Sequence, residues 1–370
     1  MKYLMKLAIA AAFAAGAGSV LTPQVRAETL ELGVILPLTG PAAEIGNQQL
    51  QAVELGVEKA NSSGAIPGVT IQLRIEDNQA RPDLSVVAFN KLVDLYDVPL
   101  IITGYSGPSL ALAPLGARKQ VVVVNAGAQS DLLATASPYL FNTIPSARDE
   151  LAILADYLVK TRGYKTAAII YQNDAQGKPA RDAFADLFAA NGGTITVDES
   201  VPFGETNFRG ILTKIQAAKP DVIFVMMAQG FVQLAEQINQ LGITVPVTSN
   251  TSINQPSILA SPLTKGWLHT QLRLDASEEL LNEFKQRNNA DMGFYARQYF
   301  NGIQIIVQAI KAVRDANKDV TGENIRAAIL EKREFEGLDG PVVFESNTGK
   351  LAITVNMLAD GKTTPVEDAN

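Results

Sequence analysis

The sequence predicts an α/β fold of two tandem units, each a doubly wound parallel sheet. Three observations carry that prediction. Short apolar, β-branched runs alternate with amphipathic stretches of helical period. Each run ends in a turn of Gly, Pro, Asn, Asp or Ser. The rhythm completes one cycle and restarts near Asp149. The chain of 370 residues, 47% hydrophobic, is long enough for two or three domains with cores of their own.

Residues 1–27 stand apart from that rhythm. Lys2 and Lys6 form a positive start, residues 7–20 are an apolar, Ala-rich run, and Val25-Arg26-Ala27 is a small-residue cleavage site. This is the pattern of a secretory signal peptide. The alternative, an uncleaved anchor, needs about 20 apolar residues, more than this run provides. The chain has no cysteine, which excludes a disulfide framework, thiol chemistry and a lipid-bearing Cys. A freely soluble, exported protein is therefore expected. Removing Lys2, Lys6 and Arg26 takes the 31 basic residues to 28 against 38 acidic ones, a net charge of −10. So acidic a protein is poorly suited to nucleic acid or anionic membranes.

From Glu28 the elements follow in order. Residues 30–36 (LELGVIL) form a buried strand broken by Pro37-Leu38-Thr39-Gly40-Pro41. A helix over 46–61 carries Leu50, Val53, Leu55, Val57 and Ala60 on its apolar side and stops at Ser62-Ser63-Gly64. Residues 69–76 alternate and form a strand ending in Asp77-Asn78. A helix over 82–96 leads to the strand 100–103. The second cycle places helices at 149–162, 178–190, 208–218 and 231–241, and strands at 166–171, 194–201, 221–227 and 245–249. The connection between cycles is a short hinge near 142–146. Beyond Trp267, helices are expected at 277–287, 294–316 and 323–332, the last capped by Thr321. A hairpin is expected from strands 342–345 and 351–358 around Asn347-Thr348-Gly349.

The stretch 100–133 organises the chain. Its two strands, 100–103 and 121–124, end in small loops, Gly104-Tyr105-Ser106-Gly107-Pro108 and Asn125-Ala126-Gly127-Ala128. Ligands of open α/β sheets bind at the carboxyl ends of strands. Small residues there are expected to let a ligand approach the backbone N–H groups. This pair of loops reads as half of a ligand cleft.

Several short motifs, in this order and spacing, resemble the type I periplasmic solute-binding proteins of ABC importers, in their branched-chain amino acid branch. They are Pro37-Leu38-Thr39-Gly40-Pro41 with Gly46; Val57-Glu58-Lys59-Ala60-Asn61-Ser62-Ser63-Gly64-Ala65-Ile66; Asp77-Asn78; Ser106-Gly107-Pro108-Ser109-Leu110-Ala111-Leu112-Ala113-Pro114; and Val201-Pro202-Phe203-Gly204-Glu205-Thr206-Asn207-Phe208. Ala65 and Asn207 depart from the family's Gly and Asp. The resemblance covers essentially the whole chain after residue 27. It implies two Rossmann-like lobes with parallel sheets joined by a three-segment hinge, closing on a solute like a flytrap. By analogy lobe 1 is 28–144 plus 276–338 and lobe 2 is 145–275 plus 339–370. It also implies a monomer that binds without chemistry, and an ABC permease in the inner membrane as partner.

The resemblance places candidate ligand contacts residue by residue. Ser106 falls where the family has a hydroxyl on the ligand carboxylate; the alternative is a plain helix N-cap, and Ser109 serves if the loop is shifted. Gly127 aligns with a position offering a backbone group, and Gln129 replaces the family's Thr. Ile45 stands where an aromatic flanks the ligand, or packs in the core. Gln176 replaces the family's Tyr. Met227, Ala228 and Gln229 end a strand facing the cleft. Phe294, with Tyr295 and Tyr299, can supply an aromatic wall or pack in its helix. Thr251 stands where leucine-type binders present a Glu to the α-ammonium, and no acidic residue lies between Pro246 and Leu274. A buried ammonium without a counter-charge is costly. A small carboxylate, aromatic or 2-oxo, is therefore expected over an α-amino acid, the apolar amino acids being the alternative within the class.

Other chemistry finds no support in the sequence. Gly104-Tyr105-Ser106-Gly107-Pro108 approaches a nucleophile elbow, but Pro108 replaces the required Gly. His269 is the single histidine, and a structural role is expected for it. No His/Cys cluster suits zinc. The run from Asp315 to Asp319 begins like a calcium loop, but Val320 and Arg326 replace the turn Gly and closing Glu. No Gly loop with Lys cradles phosphate. Neither metal nor cofactor is expected. An amide-type sensor of the same fold and a serine esterase are more distant readings.

Overall fold

Residues 28–366 are described by the computed structural model. The expected signal peptide lies outside the described residues. The first cycle is β1 (Glu28–Leu36), α1 (Ala43–Ser63), β2 (Val69–Asp77), α2 (Pro82–Tyr96), β3 (Leu100–Thr103), α3 (Ser106–Lys119), β4 (Val122–Asn125) and β5 (Leu140–Asn142). The second is α4 (Ala147–Asp156), β6 (Thr166–Gln172), α5 (Gly177–Ala190), β7 (Thr194–Val201), α6 (Arg209–Ala218), β8 (Val222–Met226), α7 (Phe231–Gln240), β9 (Val247–Ser249), α8 (Pro256–Leu259) and β10 (Leu268–Leu272). There follow α9 (Glu278–Asn288), α10 (Phe294–Asp315), α11 (Gly322–Lys332), β11 (Glu334–Gly337), β12 (Gly340–Glu345), β13 (Thr348–Lys350), β14 (Ile353–Ala359) and β15 (Lys362–Pro365).

The strands form two sheets, ordered β11-β12-β13-β5-β4-β3-β1-β2 and β15-β14-β10-β9-β8-β6-β7. Each cycle supplies five consecutive parallel strands in the order 2-1-3-4-5. The order reverses between β1 and β3 and between β6 and β8. A crevice opens at such switch points outside the strand ends. Alternate residues of β1 feed opposite faces: Leu32, Val34 and Leu36 join the core against α1 and α10, while Ile35 joins the one against α2 and α3. In β6, Ala168 and Ile170 go one way and Ala167 and Ile169 the other. Helices on both faces explain why these strands read as continuous apolar runs.

The chain crosses between sheets three times, at 143–146, 273–277 and 351–352. The first crossing ends in a capping box: Ser146 Oγ accepts from Asp149 N–H, and the Asp149 carboxylate accepts from Ser146 N–H. Asp149 also pairs with Lys350 at 2.6 Å, tying the first crossing to the third.

Some expectations shift. Residues 339–350, expected in lobe 2, stay with the first sheet through β12 and β13, so the last crossing falls at 351–352. The expected hairpin of 342–345 with 351–358 is replaced. β12 pairs with β11 and β13, while β14 pairs with β10 and β15 in the other sheet. Alternation sets which face a residue occupies, not which sheet its strand joins, and Leu351-Ala352 carries no Gly or Pro to mark the crossing. The helix expected over 149–162 starts at Ala147 and passes into a π-helical turn at Tyr157–Thr161. The strands β5, β10, β11, β13 and β15 have no counterpart in the sequence reading, which takes Asn347-Thr348-Gly349 as a turn.

Candidate functional site

A cavity lies between the strand ends of the two sheets, leaving about 50 Å³ open to the centres of water molecules. The first lobe contributes Ile45 and Gln49 from α1, Tyr105 and Ser106 after β3, the loop Gly127-Ala128-Gln129 after β4, and Tyr295 of α10. The second contributes Gln176 after β6, Ala228 after β8, and Ser252 and Gln255 after β9. Ile45 and Gln49 share a helix face because they are one turn apart. Contacts bridge the lobes: Tyr295 Oη donates to Ser252 O (3.2 Å) and Gln229 Nε2 to Pro41 O (3.5 Å).

None of the lining residues carries a formal charge; four of them are glutamines. Ser106 is the first residue of α3, and the N-cap position belongs to Tyr105, which makes no side-chain cap. The plain N-cap reading of Ser106 is therefore set aside: its Oγ is buried and bonds to no protein group. The first N–H groups of a helix have no intrahelical acceptor and carry partial positive charge. In this turn Pro108 has no N–H and Ser109 N–H bonds to Tyr105 O (3.0 Å), which leaves the N–H groups of Ser106 and Gly107 beside the buried, unpartnered hydroxyl as a candidate anion cradle. Gln49 is 2% exposed, and its Oε1 also lacks a partner.

The loop after β4 is small for a different reason than expected. Asn125 Oδ1 accepts from Gly127 N–H (3.2 Å) and Ala128 N–H (2.8 Å), so these donors are already committed. The side chain of Tyr299 occupies the space instead. A Cβ at Gly104 would overlap its phenol oxygen, and one at Gly127 would sit 3.0 Å from it. Burial pushes the Tyr299 phenol far above its ordinary pKa and that of Tyr105 up to about 12, so both stay protonated at neutral pH.

Of the nine candidate contacts, Ile45, Ser106, Gly127, Gln129 and Gln176 line the cavity. The other four candidates stand back from its wall. Ser109, one turn along α3, is fully buried with an unpartnered Oγ. Gln229 reaches across the mouth to Pro41. Phe294 packs beside Ile144, Leu272 and Leu274 at the crossings and meets Tyr295 edge-on at 5.8 Å. Thr251 points its N–H at Glu150 Oε2 (3.0 Å) and its hydroxyl at Thr270 O (3.3 Å).

Sequence reasoning missed Glu150. It is wholly buried, and its carboxyl accepts from Thr251 N–H, Thr270 Oγ1 (2.7 Å) and Gln129 Nε2. Gln129 Oε1 in turn accepts from Asn250 Nδ2 (3.4 Å). Burial raises the Glu150 pKa, partly offset by the bonds from Thr270, Thr251 and Gln129. An acid therefore does sit near Thr251, supplied by α4 rather than by the loop after β9, with Gln129 between it and the cavity. The available signal was an acid on the apolar stripe of its helix, beside Leu151 and one turn before Leu154.

A cleft lined from two such lobes defines a solute-binding protein. Residues 29–359 match the family described as periplasmic binding protein. The chain belongs to that family, in its type I, branched-chain amino acid branch. The Leu/Ile/Val-binding protein homolog 3 of Brucella melitensis biotype 1 is 27% identical over 336 residues, which are 87% of this chain and 89% of the relative. The solute binding protein of an ABC transporter from Rhodopseudomonas palustris BisB5, solved with 3,4-dihydroxy benzoic acid, superposes with a TM-score of 0.81 at 23% identity over 91% of this chain and 96% of that one. A leucine binding protein from Thermotoga maritima MSB8 gives 0.82 at 18% identity over 91% and 97%. At these identities the solved structures speak for the fold alone.

Proposed function

We propose that this chain is the exported, solute-binding component of an ABC importer. It captures a small carboxylate, an aromatic or 2-oxo acid, between its lobes and presents it to an inner-membrane permease. The single observation that carries the ligand reading is the wall: free of formal charge, with an unpartnered Ser106 hydroxyl at the first turn of α3. A carboxylate finds donors there. An α-ammonium finds only neutral dipoles, because Glu150 lies behind Gln129 and is committed to three donors. An unpaired buried charge costs about 3–5 kcal/mol, more than a hundredfold in affinity.

The second reading, an apolar amino acid as solute, is favoured by the Leu/Ile/Val-binding relatives and by the buried acid behind Gln129. Titration calorimetry on matched pairs separates the two: leucine against 4-methyl-2-oxopentanoate, and phenylalanine against phenylpyruvate and benzoate. The first reading expects the acids to bind at least a hundredfold tighter. Micromolar binding of the amino acids, with silent acids, overturns it. Export is tested by the N-terminus of the mature protein, expected at Glu28.

A further inference from the structure

A second hollow adjoins the cavity and shares Tyr105, Ser106, Gln176 and Ala228 with its lining. The two differ in size and chemistry. The inner one offers amides and hydroxyls around about 50 Å³ open to water centres, the outer one about 400 Å³. The outer wall is mainly apolar and comes from both lobes: Pro41, Ala42, Ala80, Pro82 and Pro108 from the first, Phe203 from the second. Its charged groups have partners already. The Arg81 guanidinium pairs with Asp83 (2.5 Å). The Asp174 carboxylate accepts from Gln176 N–H (2.9 Å), Gly177 N–H (2.7 Å) and Gln172 Nε2.

Two features mark the hollow as built rather than incidental. Phe203 is 54% exposed, a large ring kept in water at the rim of a cleft. Gln79 and Ala80 both lie in the left-handed region, with φ of 51° and 59°. Side-chain bearing residues rarely sit there, and such strain persists where surrounding bonds fix it. Here Asp77 Oδ1 accepts from Gln79 N–H (2.9 Å) and Asn78 Oδ1 from Ala80 N–H (3.0 Å). The strained turn sets Ala80 on the wall.

We infer that the outer hollow seats the apolar tail of the ligand whose polar head lies at Ser106. The solute is then an acid longer than one ring, an aryl-alkanoate or a chain of similar length. The inference rests on the carboxylate reading for the head and adds the tail. With the head in the inner space, a tail that reaches the apolar hollow beside it gains about fourfold in affinity for each methylene buried.

Titration calorimetry with benzoate, phenylacetate, 3-phenylpropanoate and 4-phenylbutanoate tests this, alongside phenylglycine, phenylalanine and homophenylalanine. Affinity is expected to rise along the acid series, about 15-fold from benzoate to 3-phenylpropanoate, and Phe203→Ser is expected to flatten the rise. A flat or falling profile in both series overturns the tail site, as does a slope untouched by Phe203→Ser. A rise along the amino series with silent acids upholds the hollow and overturns the carboxylate reading. Failure of the tail and failure of the head are thereby told apart.

Discussion

Replacing Ser106 by alanine tests the centre of the site, because its two consequences point in different directions. The hydroxyl is buried and bonds to no protein group, so the free protein loses no hydrogen bond. The unliganded variant should melt where the wild type does, or slightly higher. On the carboxylate reading the hydroxyl donates to the ligand in the complex, a charge-assisted bond worth about 1.5–3 kcal/mol, or about 10- to 150-fold in Kd. The same loss is readable as heat stability. At 100 times its Kd a ligand adds about 2.7 kcal/mol; a variant weakened by about 2 kcal/mol is then at about three times its Kd, and the ligand adds about 0.9 kcal/mol. Ser109→Ala is the matched control: its Oγ is equally unpartnered and buried, but it stands one turn deeper and off the wall. The expected result is a lost ligand response in Ser106→Ala and a retained one in Ser109→Ala, with both free proteins intact. Equal affinity in Ser106→Ala and wild type would refute the anion cradle. A destabilised free Ser106→Ala protein would refute the claim that the hydroxyl has no structural task.

Glu150→Gln turns one acceptor oxygen of the network behind Gln129 into a donor facing donors; with each unpaired buried donor costing about 1–3 kcal/mol, a lowered denaturation midpoint is expected by urea titration. Gly104→Ala should destabilise through overlap with the Tyr299 phenol oxygen, and Tyr299→Phe should rescue it, since that hydroxyl has no partner to lose; no rescue in the double-mutant cycle would place the strain elsewhere. Burial lowers the His269 pKa from 6.5 to about 4, its Nδ1–H bonding to Thr270 O at 2.9 Å. The unfolded chain thus binds the extra proton between those values, and stability is expected to fall by about 3 kcal/mol as pH drops from 6.5 to 4. Glu150 acts in the opposite sense, its raised pKa removing stability as pH rises through the folded value. His269→Leu should remove most of the loss of stability between pH 6.5 and 5, in denaturation curves taken across that range.

The alternation of apolar runs and amphipathic helices was enough to find β1 to β4 and β6 to β9, because the central strands are buried on both faces and each helix on one. The 2-1-3-4-5 order that creates the crevice is set by tertiary packing, because right-handed crossovers fix the hand of each connection and not the order of the strands. The neighbourhood of the cavity was legible too: Ser106, Gln129 and Gln176 follow the carboxyl ends of β3, β4 and β6 and line it. What the sequence left undetermined depends on distant partners. Whether β14 pairs with β12 or with β10 is decided by sheet packing, the chosen partner lying 83 residues earlier in the chain at Gln271 and Thr354, and the crossing at 351–352 has no local mark. Glu150 does not stand out in the sequence because its meaning lies in Gln129, Thr251 and Thr270, which come from three other elements. Gly127 was assigned to a ligand's approach, whereas Asn125 and Tyr299 take its N–H and its space. Sequence period fixes which face a residue presents; only packing decides what meets it there, and a ligand site is made of such meetings.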